Sequence, residues 1–399
     1  MNDKTLVAFA EVAWGYFRTR KQFLLTRLAR LGWNVHYMEP LAPGRGNRLG
    51  ARDEDGVTVH TVPFLKTSTR QPLYNAAIEL PPVRAALERI AAAAAERALR
   101  AAGVTRVDVA YLSNVYAAKA LSPVAPGLVC YDFNDHPLQF SAVPSWAAMY
   151  LSQALDRADV VLAVSAHYAR ELARRVQVPV ILLGNGVEFD RFAHPAGPEP
   201  AKLRDIRRPR VGYVGKVSHF LDFAVLERLA GHGAFELVIA GPLPEETKAQ
   251  VARLVQKPHA HVIGEVPYAE VPATLAGIDV SLIPFRAGDP YTVGINPNKL
   301  WQSWAAGRPI VASPIADVAA GGAGLSFAET PEAFERAVLD ALERPADPEA
   351  IRARARSHDW DAIAGRLDGI LRAALAEKAE TGWVSEAKMA PFREDMDPR

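Results

Sequence analysis

Two short stretches hold side chains whose types and spacing can do chemistry. In "NPNKLWQSW" (296–304), Lys299 and Gln302 stand three apart at the start of a helical pattern, a spacing that puts both on one helix face. Asn296 and Pro297 suit an N-cap and a first helical position. A lysine near a helix N-terminus opposes the macrodipole, and a bound anion would compensate, so the pattern points to a phosphate. Leu300, Trp301 and Trp304 supply a packing face, and Gly307 ends the helix. The blander alternative is a capped amphipathic helix with an incidental lysine. In "CYDFNDHPLQF" (130–140), Asp132, Asp135 and His136 crowd the end of an apolar run. Such a cluster can hold a general base. It can equally be a turn in which Asn134 and Asp135 bond the local backbone.

Two weaker signals accompany these. "GYVGKVSHF" (212–220) places Gly215 and Lys216 after a strand-like run. The glycine lets a ligand approach the backbone, and a helix expected from near Ser218 would offer free N–H groups. "VIGEVPY" (262–268) contains Gly264, Glu265, Val266 and Tyr268. A nucleotide base laid against it would be read by backbone groups around Glu265 and Val266. No Cys/His spacing suits a metal, and neither a P-loop nor a nucleophile elbow is present.

These groups matter only if strands hold them at the carboxyl ends of a sheet, where open α/β sheets bind ligands. The first half supplies such strands: "TLVAFA" reads as a buried strand, "NVHYM" and "VTVHTV" as two more, and "VDVAYL", "GLVCYDF", "DVVLAVS" and "VPVILLG" are apolar throughout rather than alternating, as buried parallel strands are. Helical patterns over 18–31 and 81–103 lie between them. The pattern restarts at "PRVGYVGKV" (209–217) and recurs at 235–241, 260–266, 279–285, 308–313 and 324–328. Two doubly wound, Rossmann-like α/β domains are therefore expected. Their limits are 1–192 and 209–358, with a polar, Pro-rich linker at 193–208. A closing helix at 359–379 and a tail at 380–399, disordered in "PFREDMDPR", complete the chain.

Bulk properties narrow the function class. A chain of 399 residues is long for one core, which agrees with two domains. The net charge of +1 gives no asymmetry that would point to nucleic acid. Cys130 has no second cysteine with which to pair, as suits a reducing compartment. No apolar run approaches the ~20 residues of a membrane span, and the first residues lack the pattern of a signal peptide. A cytoplasmic protein is expected. The stretch 17–30 carries Arg18, Arg20, Lys21, Arg27 and Arg30 beside Phe17, Phe23, Leu24, Leu25 and Leu28, with no acidic residue. Read as a helix, it has a basic face that suits anionic headgroups, or it is an ordinary amphipathic helix packed on the sheet.

Taken in order, the pieces resemble the GT-B fold glycosyltransferases over nearly the whole chain. "ALDRADVVLAVSAHYARELARRVQVPVILLGNGVEFDRF" (154–192) looks like the end of that family's first domain. "VGYVGKV", "HVIGEVPYAEVPATLAGIDVSLIPF" and "NPNKLWQSWAAGRPIVAS" look like its nucleotide-sugar domain, and "SHDWDAIAGRLDGIL" like its closing helix. The resemblance implies two domains facing across a cleft, with the donor in the second and the acceptor in the first. It implies that Gly215 and Lys216 face the diphosphate. Loop 264–268 would hold the base, and Asn296, Lys299 and Gln302 would face ribose and phosphates. Gly15, Tyr16 and Asp132 fall on the acceptor side. The acidic pair of many retaining members is absent, since Gln302 and Gly294 stand in those places. The Lys299/Gln302 pattern is similar to that of inverting glucuronosyltransferases of xanthan-type assembly, whose base matches Asp135, with His136 beside it. "GYVGKVSHFLDF" is similar to transferases of teichuronic-acid type.

The function so implied is transfer of a sugar from a UDP-sugar to a glycan or lipid-linked acceptor, in cell-surface polysaccharide synthesis. Inversion with Asp135 as base is expected, with no metal cofactor and at most peripheral membrane contact through 17–30. A retaining transferase, a nucleotide-sugar epimerase of the same fold and a catalytically silent nucleotide-sugar-binding subunit are the alternatives.

Overall fold

The apolar runs of the first half lie side by side in one sheet of a computed structural model, which describes residues 4–15, 18–41, 50–65, 72–139, 143–315, 318 and 322–393. Its strands are β1 (Thr5–Phe9), β2 (Asn34–Pro40), β3 (Arg52–Glu54), β4 (Val57–Val62), β5 (Val109–Leu112), β6 (Leu128–Phe133), β7 (Val160–Ala163) and β8 (Val180–Leu182). Their order is β3-β4-β2-β1-β5-β6-β7-β8. All neighbours pair in parallel except β3, which runs antiparallel to β4. β1, β5, β6 and β7 are buried along their whole length. That explains their unalternating sequences: helices cover both faces of a parallel sheet.

The second sheet comprises β9 (Arg210–Val214), β10 (Glu236–Ala240), β11 (Ala260–Gly264), β12 (Val280–Ile283), β13 (Ile310–Ala312) and β14 (Leu325–Phe327). It is parallel throughout, in the order β11-β10-β9-β12-β13-β14. Strand order reverses at β1/β5 in the first sheet and at β9/β12 in the second. Beyond such switch points the following loops splay apart and leave a crevice.

The chain divides into two compact units, one running to Gly184 and resumed from Asp361, the other Asn185–Trp360. The first boundary thus lies earlier than the expected 192. The expected linker 193–208 is folded onto the second unit. Leu203, in the short helix Ala201–Arg204, and Ile206 are buried against Val238, Ala240, Ile263 and Ile278. These two apolar residues are joined by polar contacts, Lys202 donating to the Ile263 carbonyl at 2.8 Å and Arg208 pairing with Asp279. The final helix, Trp360–Thr381, serves the first unit from Asp361 on. The Trp33 indole N–H donates to Asp368 at 2.6 Å, and Lys378 pairs with Asp159 at 2.5 Å. The tail is ordered as far as Arg393. Met389 is fully buried, and the Phe392 carbonyl accepts from Arg366. Residues 394–399 lie outside the described residues.

The basic stretch is a helix, Arg20–Arg30, but its charges do not form an open face. Arg20, Lys21 and Arg27 are buried and paired with Asp132, Glu11 and Asp361 respectively. The acidic partners lie outside the stretch, two of them more than a hundred positions away, which a local charge pattern does not reveal. Phe17 lies outside the described residues. Among the described residues no helix is long and apolar enough to cross a membrane.

Two histidines lie inside this sheet. His36 and His60, each 3% exposed, approach to 3.0 Å between Nδ1 and Nε2. Burial, reinforced by His60, pushes His36 down to about 4 from 6.5, and burial lowers His60 as well. A depressed folded-state value means that the unfolded chain takes up protons the folded chain refuses. Stability is therefore expected to fall as pH drops from 6.5 towards 4. Urea midpoints at pH 7, 5.5 and 4.5 check this, and His36→Gln should flatten the decline. An equal slope in the variant would assign the loss to other groups.

Candidate functional site

In the second unit, the end of β9 and the start of the helix Asn298–Ala305 meet. Gly215 has φ +151°, and a Cβ there would fall 2.6 Å from Lys299 Cε and 3.0 Å from Nζ. A side chain there would push the lysine's end aside and strain the backbone. The neighbouring Gly241 is as constrained, because a Cβ on it would lie 2.0 Å from the Gly215 carbonyl oxygen. Sequence reading passed over Gly241, although it also follows an apolar strand. The Tyr213 hydroxyl donates to the Lys216 carbonyl at 2.8 Å, which fixes the turn. Lys216 itself is exposed.

The half-buried Lys299 ammonium lies 5.2 Å from the centre of the Tyr213 ring and 5.7 Å from that of Phe285. Aromatic faces favour a cation without neutralising it. No carboxylate pairs with Lys299 among the described residues. The helix that carries it has no side-chain cap on its first N–H groups. A charged donor therefore belongs to the first turn of a helix without a side-chain cap, an arrangement that can bind a diphosphate. Gln302 is half-buried on the same helix.

The helix is held from behind. Leu300, Trp301 and Trp304 are buried, as the pattern predicts. The Trp301 ring stacks on His358 at 3.6 Å, and Arg354 lies 4.0 Å from the centre of the Trp304 ring. Gly307 ends the helix at φ +69°.

Two expectations for this unit, the cap at Asn296 and the helix near Ser218, are corrected. Asn296 does not cap the helix, because Pro297 occupies the cap position. Its side chain is instead 9% exposed, accepting from Trp301 Nε1 at 2.7 Å and from the Asn185 N–H at 3.3 Å. It braces the helix rather than facing ribose. No helix begins near Ser218. The next one is Phe223–Leu229, and the Asp222 carboxylate takes its Ala224 and Val225 N–H groups. A negative cap of this kind repels phosphate. In loop 264–268, Glu265 is exposed and Val266 packs at the edge of a small apolar cluster. The Tyr268 hydroxyl donates to Glu188 at 2.7 Å. Gly264 has φ +79° at the end of β11, and its carbonyl accepts from Gly241 N–H at 2.7 Å.

In the first unit, the loops after β1, β5 and β6 carry the polar groups. Asp132 belongs to β6 and is 1% exposed. Its carboxylate accepts from Arg20 Nε at 3.2 and 3.0 Å and from the Tyr111 hydroxyl. Burial alone would lower Arg20; Asp132 and Tyr111 outweigh it and raise it instead. Asp132 is thus an internal counter-ion and not a contact for an acceptor. His136 is 7% exposed, packed edge-on against Phe133, with Nε2 3.6 Å from Glu171. Its Nδ1 accepts from the Leu138 N–H at 3.3 Å. Burial keeps its pKa below the usual imidazole value although Glu171 opposes the shift. It supports the turn rather than exchanging protons with a ligand.

Asp135 differs from both. It lies past the end of β6, half-buried, and accepts from Asn134 Nδ2 at 2.8 Å. A carboxylate held this way can take a proton. Gly15 is exposed in a loop that is pinned on three sides. The Trp14 N–H donates to Glu39 at 2.8 Å, the Tyr37 hydroxyl to the Val12 carbonyl at 3.0 Å, and Gln22 to the Trp14 carbonyl at 3.0 Å. Tyr16 lies outside the described residues. Sequence reading missed Glu11, and gave Lys21 and Asn134 other parts, a basic face and a turn. Glu11 pairs with Lys21 at 2.6 Å, and Lys21 donates to Asn134 Oδ1 at 3.3 Å. The one signal for Glu11 was an acidic residue directly after the first apolar run.

Comparisons with known proteins bear on the family and the fold. Residues 208–344 match the family model described as glycosyl transferases group 1, and residues 23–191 match glycosyltransferase family 4. The putative teichuronic acid biosynthesis glycosyltransferase TuaH of Bacillus subtilis (strain 168) is 25% identical over 162 residues, which is 39% of this chain and 41% of that protein. The match thus spans about two fifths of that relative's length. Among solved structures, sucrose-phosphate synthase from Thermosynechococcus elongatus superposes with TM-score 0.71 at 14% identity, covering 94% of this chain and 100% of that one. Anabaena HepE in complex with UDP and glucose gives TM-score 0.66 at 14% identity, covering 92% and 99%. An Escherichia coli trehalose-6-phosphate structure bound with UDP-2-fluoro glucose gives 0.69 at 13% identity, covering 92% and 99%. At such identities the likeness is one of fold.

Proposed function

Because the chain belongs to the GT-B glycosyltransferases, we propose that it moves a sugar from a UDP-sugar to a glycan or lipid-linked acceptor in cell-surface polysaccharide synthesis. The observation that carries this reading is Lys299, packed against Gly215 at the strand-order switch with no carboxylate paired to it among the described residues. The diphosphate sits at Gly215 and the uncapped helix end, where Lys299 stabilises the charge that grows on the departing UDP. Gln302 contacts the ribose side, and loop 264–268 lies along the base. UDP is the favoured nucleotide because UDP or a UDP-sugar analogue is bound in two of the similar structures. The teichuronic-acid relative supports a polysaccharide role.

The reaction is a single displacement. The acceptor oxygen attacks the anomeric carbon, the bond from that carbon to the diphosphate oxygen breaks, and UDP leaves with the electron pair. Asp135 takes the proton from the acceptor hydroxyl, and configuration inverts. No metal is assigned a part, since Lys299 and the helix N–H groups supply the positive charge. The test is a panel of nucleotide sugars read by thermal stabilisation and by slow release of nucleotide. UDP and at least one UDP-sugar should raise the melting temperature, while GDP- and ADP-sugars should not. Stabilisation by another nucleotide alone, or by none, would reject the donor assignment.

A further inference from the structure

The side chains around Asp135 form a connected row that the displacement itself leaves unused. Lys21, 2% exposed, is carried inward by the first turn of the helix Arg20–Arg30. Its ammonium donates to Glu11 Oε1 at 2.6 Å and to Asn134 Oδ1 at 3.3 Å. The Asn134 amide then donates from Nδ2 to Asp135 Oδ2 at 2.8 Å. The other Glu11 oxygen accepts from Ser113 Oγ at 3.1 Å, which ties the row to the end of β5.

Two charges decide which way the Asn134 amide points. Turned over, its NH₂ would face an ammonium and its carbonyl oxygen would face a carboxylate, and both contacts would repel. The amide donor is therefore aimed at Asp135 and kept there. A hydrogen bond donated to a carboxylate favours its charged form and restricts its rotation. We infer that Lys21 and Asn134 are positioning residues, the lysine orienting the amide and the amide holding Asp135 ionised and in place. This rests on the reading of Asp135 as the base.

Three charged groups near the row are paired elsewhere among the described residues. Arg20 is paired with Asp132, and His136 faces Glu171, which also pairs with Arg175. Tyr168, on the helix Ala166–Ala173, interacts electrostatically with Asp135 and carries no charge to replace that of Lys21.

The test is a carboxyl-carbon NMR titration of Asp135 in the intact chain, with the resonance assigned through Asp135→Asn. Asn134→Leu removes the donor and should move the Asp135 titration up by about one pH unit. Lys21→Met should move it the same way, and Lys21→Arg should restore the native value. If Lys21→Met does not fold, Asn134→Leu decides. With UDP-glucose or UDP-glucuronate as probe, the acidic limb of the kcat profile should shift in parallel and kcat should fall about tenfold, with KM for the donor unchanged. An unmoved Asp135 titration in folded Asn134→Leu overturns the inference while leaving the proposed reaction intact. Native turnover in Asp135→Asn would take down both.

Discussion

Asp135→Asn is expected to lower turnover by about 10²–10⁴-fold, the usual contribution of a positioned general base. A hydroxyl is a poor nucleophile until its proton is taken, and asparagine keeps the shape of the side chain while losing the proton acceptor. Affinity for UDP should be nearly unchanged, because the nucleotide is assigned to Asn185–Trp360 and Asp135 belongs to the other unit. The same experiment separates Asp135 from its neighbours. Asp132 is bound by Arg20 and Tyr111, so its loss should appear mainly as lost stability. Removing one partner of a buried pair leaves the other charge uncompensated, typically at about 3–5 kcal/mol. His136 is packed against Phe133 and Glu171, and its substitution should likewise act on the turn. Turnover and urea midpoint measured together on the three single variants distinguish a lost base from a lost fold.

Lys299→Ala should weaken UDP binding by about 1.5–3 kcal/mol, the range for a hydrogen bond to a charged group. That corresponds to roughly 10–150-fold in Kd. The stability of the second unit should change little, since the ammonium lies over the Tyr213 and Phe285 rings and forms no ion pair among the described residues. Calorimetric titration with UDP checks the affinity. Gly215→Ala offers an independent approach to the same site, because the added Cβ would displace the Lys299 side chain. Native UDP affinity in both variants would remove this corner from the donor site.

The strands were legible because a parallel sheet covered on both faces demands unbroken apolar runs. "DVVLAVS" contains β7, buried along its length, while "VTVHTV", which alternates, was read as a strand at the bounds it has, Val57–Val62. β3 was not legible: Arg52–Glu54 is three polar residues whose pairing with β4 leaves no apolar signature. The donor corner was half legible. Lys299 stood out because it opposes a helix dipole, a local property. Asn296 was misread for the same local reason, since its partners Asn185 and Trp301 are set by the fold. The basic stretch 17–30 shows this limit most sharply. Its sequence contains only positive charges, whereas their partners Glu11, Asp132 and Asp361 arrive from outside it. The row from Lys21 to Asp135 links residues more than a hundred positions apart, so no spacing rule could have found it.

The central claim, displacement at the anomeric carbon with Asp135 as base, can be tested without knowing the acceptor. Water is a slow substitute, so an α-linked UDP-sugar incubated with the protein should release free sugar. Proton NMR, recorded before mutarotation equilibrates the anomers, reads the configuration at release. The account predicts the β anomer, with release largely lost in Asp135→Asn. Release of the α anomer would contradict it, placing the chain among transferases that retain configuration and leaving Asp135 without the role assigned to it.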